Sequence, residues 1–297
     1  MKQLLFICNL TSGKGRRTSE LPVILDVFTK AGWLTSVYPT QCRGDATRAA
    51  RELGPRFERV VCAGGDGTLS ETVSGLVALE DPPLLGYIPM GSTNDCAATL
   101  RLPLDPAEAA RVAADTGIPR PSDIGTLNGR PFVYVAAFGA FTQVAYDTPQ
   151  ELKNTFGHLA YVLAGIASLP TIAPQHLRVE YGDKVIEDDF YFGMVSNALS
   201  IGGIKTPDQE IVVLDDGLFE VNLVKKPVSF MDVTDGFQSF ITPGKASAGA
   251  LVHFQASHIK FTCDHPLSWT IDGEFGGEQA VSEVANHQRA LSIIRGS

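Results

Sequence analysis

Gly64-Gly65-Asp66-Gly67-Thr68 is the stretch on which the reading of this chain turns. Phe57-Glu58-Arg59-Val60-Val61-Cys62-Ala63 leads into it, and the apolar end of that run reads as a buried strand. Behind it Leu69, Thr72, Val73, Leu76 and Val77 recur at helical spacing as far as Leu79. Thr68 and Glu71 fit a Thr-x-x-Glu capping box at the junction. The predicted order is therefore strand, glycine-rich turn, helix. Three glycines allow positive φ and a close approach of ligand to backbone. Free N–H groups at a turn and helix start favour a phosphate. Asp66 alone repels phosphate, so it implies a metal ion or a hydroxyl donor in the same place. A nucleotide phosphate carried with magnesium meets both conditions. The turn is neither a Walker A loop nor a GxGxxG fingerprint, and by itself it also reads as a plain strand-to-helix connection. Its surroundings have to decide.

Working outward, the first ~120 residues alternate strand and helix. Leu4–Cys8 and Trp33–Tyr38 read as strands, with a helix over Leu21–Phe28 between them and another, capped by Asp45, running to Leu53. Leu84–Ile88 is the next strand, followed by a helix past Asn94 and one over Pro106–Ala114. Such alternation predicts a parallel sheet covered on both faces, with ligands at the carboxyl ends of its strands. From Ile124 the pattern changes to short apolar runs divided by turn residues, which predicts an antiparallel β domain. Its runs are Leu177–Tyr181, Phe190–Ser196, Phe219–Val224, Ile259–Thr262 and Ser268–Ile271. Asn128-Gly129 marks a hairpin whose loop Arg130-Pro131 is expected to lengthen. A helical insert is expected over 156–168, and 289–294 returns to the first domain as strand or helix. The expected division is 1–123, completed by 289–297, and 124–288.

The chain has 297 residues, 44% hydrophobic and 19% charged, the composition of an ordinary globular protein. No apolar run approaches the ~20 residues that span a bilayer, and the N-terminus reads as a strand rather than a signal peptide. Residues 1–124 carry 13 Lys and Arg against 14 Asp and Glu, and the remainder 11 against 19. This balance disfavours nucleic-acid binding and a polybasic membrane anchor. Cys8, Cys42, Cys62, Cys96 and Cys263 are scattered and odd in number, which suggests reduced thiols, a cytoplasmic setting and no zinc site.

Two further strand ends carry similar chemistry. Asn9-Leu10-Thr11-Ser12-Gly13-Lys14-Gly15 follows the first strand, and Met90-Gly91-Ser92-Thr93-Asn94-Asp95 the Leu84–Ile88 strand, with Ser92 and Asp95 spaced as a second capping pair. Three small-polar, glycine-rich loops on one sheet edge point to a nucleotide site. The motifs, in this order, resemble the diacylglycerol kinase catalytic family, in particular the soluble bacterial lipid kinases, which have sphingosine-kinase relatives. The resemblance extends to Phe138-Gly139, Gly157-His158-Leu159-Ala160-Tyr161, Asp216-Gly217-Leu218-Phe219 and Asp272-Gly273-Glu274, and so covers nearly the whole chain. Leu10, Ser70 and Ser92 depart from the family's usual proline, asparagine and threonine.

The resemblance implies an α/β + β fold: an N-terminal nucleotide domain like those of phosphofructokinase and NAD kinase, then a β-sandwich-like lipid domain, with ATP in the cleft between. It implies that Asn9, Thr11, Ser12, Gly13, Thr40, Gly64, Gly65, Asp66, Gly67, Thr68, Ser92, Thr93, Asn94 and Asp95 hold the nucleotide. Asp66 would help to position Mg²⁺–ATP, and Glu274 would be the general base that takes a proton from a lipid hydroxyl. A structural Mg²⁺ would be held by the Asp216 carboxylate and the carbonyls of Val213 and Leu218. Lys14, Arg16, Arg17 and Lys153 are candidates to meet phosphate or anionic lipid. The insert over 156–169 is a candidate lid against the membrane surface. The implied function is an ATP- and Mg²⁺-dependent kinase of diacylglycerol or a similar lipid, cytoplasmic, transiently at the membrane surface and a homodimer through the β domain. An NAD-kinase-like enzyme and a catalytically silent lipid-binding regulator are the alternatives.

Overall fold

The structure, a computed structural model, describes residues 2–10, 17–92, 94–139, 173–198, 200–201, 204–205, 213–225 and 251–296. Thr11, Ser12, Gly13, Lys14, Arg16, Thr93, Lys153 and the expected insert over 156–169 lie outside the described residues, as does the Arg17 side chain. The first part contains β1 (Lys2–Cys8), α1 (Leu21–Lys30), β2 (Trp33–Pro39), α2 (Asp45–Leu53), β3 (Arg59–Gly64), α3 (Asp66–Leu76), β4 (Leu84–Pro89), α4 (Asp95–Thr99) and α5 (Pro106–Arg111). Then come β5 (Ile118–Leu127), β6 (Arg130–Phe132), β7 (Val135–Gly139), β8 (Gln175–Tyr181), β9 (Lys184–Ser196), β10 (Ser200–Ile201), β11 (Ile204–Lys205), β12 (Phe219–Lys225), β13 (Leu251–Ala256), β14 (His258–Ile271) and β15 (Glu274–Arg295).

The first four strands pair in parallel in the order β2-β1-β3-β4. Alternate residues serve two cores. Leu5, Ile7, Val60, Cys62, Leu85 and Tyr87 pack with Ala49 and Ala50 of α2 and Leu69, Val73 and Leu76 of α3. Leu4, Phe6, Val61, Ala63 and Ile88 pack with Ile24 and Phe28 of α1 and Ala109 and Ala110 of α5. Burial on both faces is why β1, β3 and β4 read as unbroken apolar runs, whereas β2, at the edge, is largely exposed.

The sheet does not stop at β4. Ile293 of β15 pairs with Leu85, and the other edge of β15 carries β5, from Val284↔Leu127 to Arg295↔Ile118. The first half of β15 pairs with β14. β7 and β8 lie end to end in one slot between β14 and β9, and β12 and β13 follow. The described strands thus form one 13-stranded sheet, with β10 and β11 a separate pair. The C-terminal core centres on Phe138, Phe261 and Trp269, whose rings meet edge to face with centroids 5.0 to 5.6 Å apart.

Three elements differ from expectation. The Asn128-Gly129 hairpin has a two-residue loop, because both residues take positive φ (46° and 80°) and Arg130 pairs directly with Leu127. The two runs expected at Ile259–Thr262 and Ser268–Ile271 are one strand, β14, with an irregular register between Thr262 and Leu267. The returning segment is a strand, the end of the 22-residue β15, whose first half is too polar to announce itself.

Candidate active site

Parallel pairing places the carboxyl ends of β1 to β4 on one edge, and backbone bonds hold the loops there in register. The Asn9 N–H donates to the Ala63 carbonyl at 2.8 Å, that of Thr40 to Cys8 at 2.9 Å and that of Met90 to Gly64 at 2.7 Å. Above this edge lies a cleft of about 960 Å³. Asn9, Thr40, Gly65, Gly67, Thr68 and Ser92 line one side, and Arg130 and Pro131 of β6, Ile271 of β14 and Glu274 of β15 line the other. Six of the sequence-predicted nucleotide residues, Asn9, Thr40, Gly65, Gly67, Thr68 and Ser92, therefore share one cavity with the predicted base. Gly64, Asp66, Asn94 and Asp95 are not on its described lining.

The glycines serve packing rather than unusual dihedrals. Gly64, Gly65 and Gly67 do not have positive φ, contrary to expectation. A Cβ on Gly64 would lie 2.4 Å from Thr68 Oγ1, and one on Gly91 would lie 2.5 Å from Gly65 Cα. The turn after β3 and the loop after β4 thus touch backbone to backbone. At Gly67 a Cβ would meet only Glu274 Oε1, at 3.9 Å. That carboxylate stands over the glycine turn.

The expected caps are exchanged between helices. Gly65 is extended (φ −85°, ψ −177°) and its carbonyl accepts the Thr68 and Leu69 N–H groups, so α3 starts at Asp66, ahead of the predicted capping box. Glu71 is thereby released to α2, where its carboxylate accepts the N–H groups of Gly44 at 2.8 Å and Ala46 at 3.3 Å. Asp45, expected to cap α2, turns back to accept the N–H groups of Gln41 and Cys42, and Arg48 pairs with it at 2.7 Å. Those amides, with Arg48, hold the Asp45 carboxyl below the usual range. The pair expected at Ser92 and Asp95 gives way to Asp66, which accepts the N–H groups of Asp95 at 3.1 Å and Cys96 at 3.2 Å. Burial pushes the Asp66 carboxyl up, and the charge of Asp95 acts in the same direction against the two amides. Asn94, at φ 55°, closes the loop by accepting the Gly91 N–H and donating to the Gly91 carbonyl.

The hairpin that carries Glu274 is fixed just as firmly. Asp272 is buried and accepts the N–H groups of Val133, Tyr134 and Val135 at 2.8 to 3.2 Å. Burial pushes its carboxyl up to about 6, against the three amides. Glu274 Oε2 lies 3.3 Å from Arg43 Nη2. Sequence reasoning missed Arg43, although it stands in the loop after β2 on the same strand edge as Thr40.

Asp216 lies in a turn anchored by buried Asp123, which accepts the Gly217 N–H at 2.7 Å and donates its own N–H to the Leu214 carbonyl. Asp216 Oδ1 accepts the Leu218 N–H. Val213 and Leu218 are exposed. Among the described residues no group of three or more His, Cys, Asp or Glu side chains is placed to hold a metal. A cation here would depend on one carboxylate and carbonyls, an all-oxygen set suited to Mg²⁺. Asp215 faces Arg289 at 3.8 Å.

The sequence model of the diacylglycerol kinase catalytic domain matches residues 3–127, which span the four strand ends but not Glu274. Full-length relatives cover the rest. The diacylglycerol kinase of Bacillus subtilis is 34% identical over 299 residues, 99% of this chain and 96% of that protein. That of Staphylococcus aureus (strain MRSA252) is 35% identical, over 99% of this chain and 92% of its own. A crystal structure of a diacylglycerol kinase from Bacillus anthracis shares the fold with a TM-score of 0.78 at 24% identity, covering 99% of this chain and 97% of that one. The kinship thus embraces both walls of the cleft, the glycine turn and the hairpin that closes over it, and the chain belongs to the diacylglycerol kinase family of phosphotransferases.

Proposed function

We propose that this protein transfers the γ-phosphoryl group of ATP, carried with Mg²⁺, to the hydroxyl of diacylglycerol or a similar lipid, giving a phosphatidic-acid-like product. The observation that carries this is the Glu274 carboxylate standing over Gly67, which unites the two motifs from opposite ends of the chain. The lipid oxygen forms a bond to the γ-phosphorus, and the bond from that phosphorus to the β,γ-bridging oxygen breaks. ADP keeps that electron pair and Glu274 takes the hydroxyl proton. Mg²⁺, when bound, neutralises phosphate charge.

The protein's own groups then have distinct tasks. Asn9, Thr40, Thr68 and Ser92 offer hydroxyl, amide and backbone groups to the nucleotide from the strand edge. Asp66 acts through the loop 91–94, which it holds against the cleft by binding the start of α4. Asp216, with the carbonyls of Val213 and Leu218, would hold the structural Mg²⁺. In this reading residues 1–123 with 289–297 are a phosphofructokinase-like nucleotide domain and 124–288 a β-sandwich-like lipid domain.

The test is phosphoryl transfer from labelled ATP into a panel of lipids in mixed micelles, beside NAD. Label in diacylglycerol that is lost in Glu274→Gln supports the reading. Label in NAD alone, or lipid binding without transfer, overturns it.

A further inference from the structure

Two guanidiniums stand on the described lining of the cleft, and they are held differently. Arg130 Nη1 donates to the Phe275 carbonyl at 2.7 Å and so braces the Glu274 hairpin. Arg43 meets a carboxylate, Glu274, across the cleft at 3.3 Å. The backbone on either side of it is held. The N–H groups of Gln41 and Cys42 are bound by Asp45, and that of Gly44 by Glu71. Its side chain is 71% exposed and that of Glu274 54% exposed. An ion pair so wet is worth little, so it breaks readily for a better partner. A phosphate is a better partner, because a guanidinium's fork of donors matches its oxygens.

We propose that Arg43 is the phosphate arm of this site. With the cleft empty it holds Glu274; when a nucleoside triphosphate enters, its guanidinium leaves the carboxylate for the γ-phosphate. The exchange places positive charge on the transferring group, where phosphoryl transfer needs it. It also frees Glu274 to receive the proton. The inference rests on the lipid-kinase reading above.

Calorimetric titration of the full chain with Mg·ATP and with Mg·ADP, without lipid, tests it in wild type, Arg43→Ala and Arg43→Lys. Arg43→Ala is expected to weaken Mg·ATP binding about 10–100-fold, the worth of a charge-assisted hydrogen bond, and to leave Mg·ADP binding unchanged. Retained ADP binding shows that the variant folds, and Arg43→Lys recovers part of the ATP affinity. Equal losses for both nucleotides, or none for either, overturn the role of Arg43 alone. Unchanged nucleotide binding with weaker cosedimentation on anionic vesicles also overturns it and moves Arg43 to a lipid-facing rim. Wild type that binds neither nucleotide removes the lipid-kinase reading, and this inference with it.

Discussion

Asp272 and Glu274 are two residues apart and meet opposite environments. Glu274 stands in the open cleft, whereas Asp272 is buried under three backbone N–H groups. The first is suited to accept a proton in a reaction, the second to hold a turn still. Glu274→Gln is expected to lower kcat by about 10²–10⁴ while leaving the dissociation constant for Mg·ATP within a few-fold of wild type. An equal rise in that constant would make Glu274 a binding group instead. Asp272 makes a pH prediction. Its folded carboxyl titrates at about 6 against an ordinary value of 3.8, so the folded state binds its proton more tightly than the unfolded chain does. That contribution to stability is fully present below pH ~4 and is lost as pH rises to ~6, up to about 3 kcal/mol at 1.36 kcal/mol per unit. Urea unfolding of wild type and Asp272→Asn from pH 4 to 7 should show the wild type's stability, measured relative to the variant, falling over this window. A constant difference would mean that the three amides offset the burial.

α3 is a helix whose polar side chains work for its neighbours. Asp66 binds the start of α4 and Glu71 the start of α2. Glu71→Ala should destabilise the fold by about 1 kcal/mol, the usual worth of a lost cap, in urea unfolding. Gly91→Ala should cost about 1–3 kcal/mol by overpacking against Gly65, and it should weaken Mg·ATP binding because the two loops must part. Unchanged stability in Gly91→Ala would show that the loops separate freely. The existence and type of these elements were legible because β1, β3 and β4 are buried on both faces and the helices between them keep apolar residues at helical spacing. The caps were misread because Thr68-x-x-Glu71 is a local pattern, and a neighbouring helix with free amides competed successfully for Glu71. Arg43 was hidden for the same reason: an arginine in a loop acquires meaning only from the carboxylate opposite, and that one comes from the far end of the chain.

At the scale of the whole molecule, β15 is the strand common to both halves. It begins at the candidate base, pairs with β14, and ends beside β4. Sequence reading anticipated the return but not the length, since Glu278, Gln279, Ser282, Glu283, Asn286 and Gln288 give no strand signal without their partners. A shared strand predicts a single cooperative unfolding transition. The chain supplies its own probes, because its two tryptophans are Trp33, buried beside Arg59 in the first half, and Trp269, in the core of the second. Single-tryptophan variants Trp33→Phe and Trp269→Phe should unfold in urea with midpoints that coincide between fluorescence and circular dichroism. A fluorescence transition in either variant that departs from its own circular dichroism would mean that the halves melt separately. The same strand also sets an order of events on the ribosome. Leu85 is made early and its partner Ile293 late, so at ordinary elongation speeds the outer margin of β4 waits roughly 10–40 s for its neighbour. Through that interval the nascent first half presents an unfinished edge to the cell, and a chaperone that shields β4 has more to protect in this protein than one that shields any finished face.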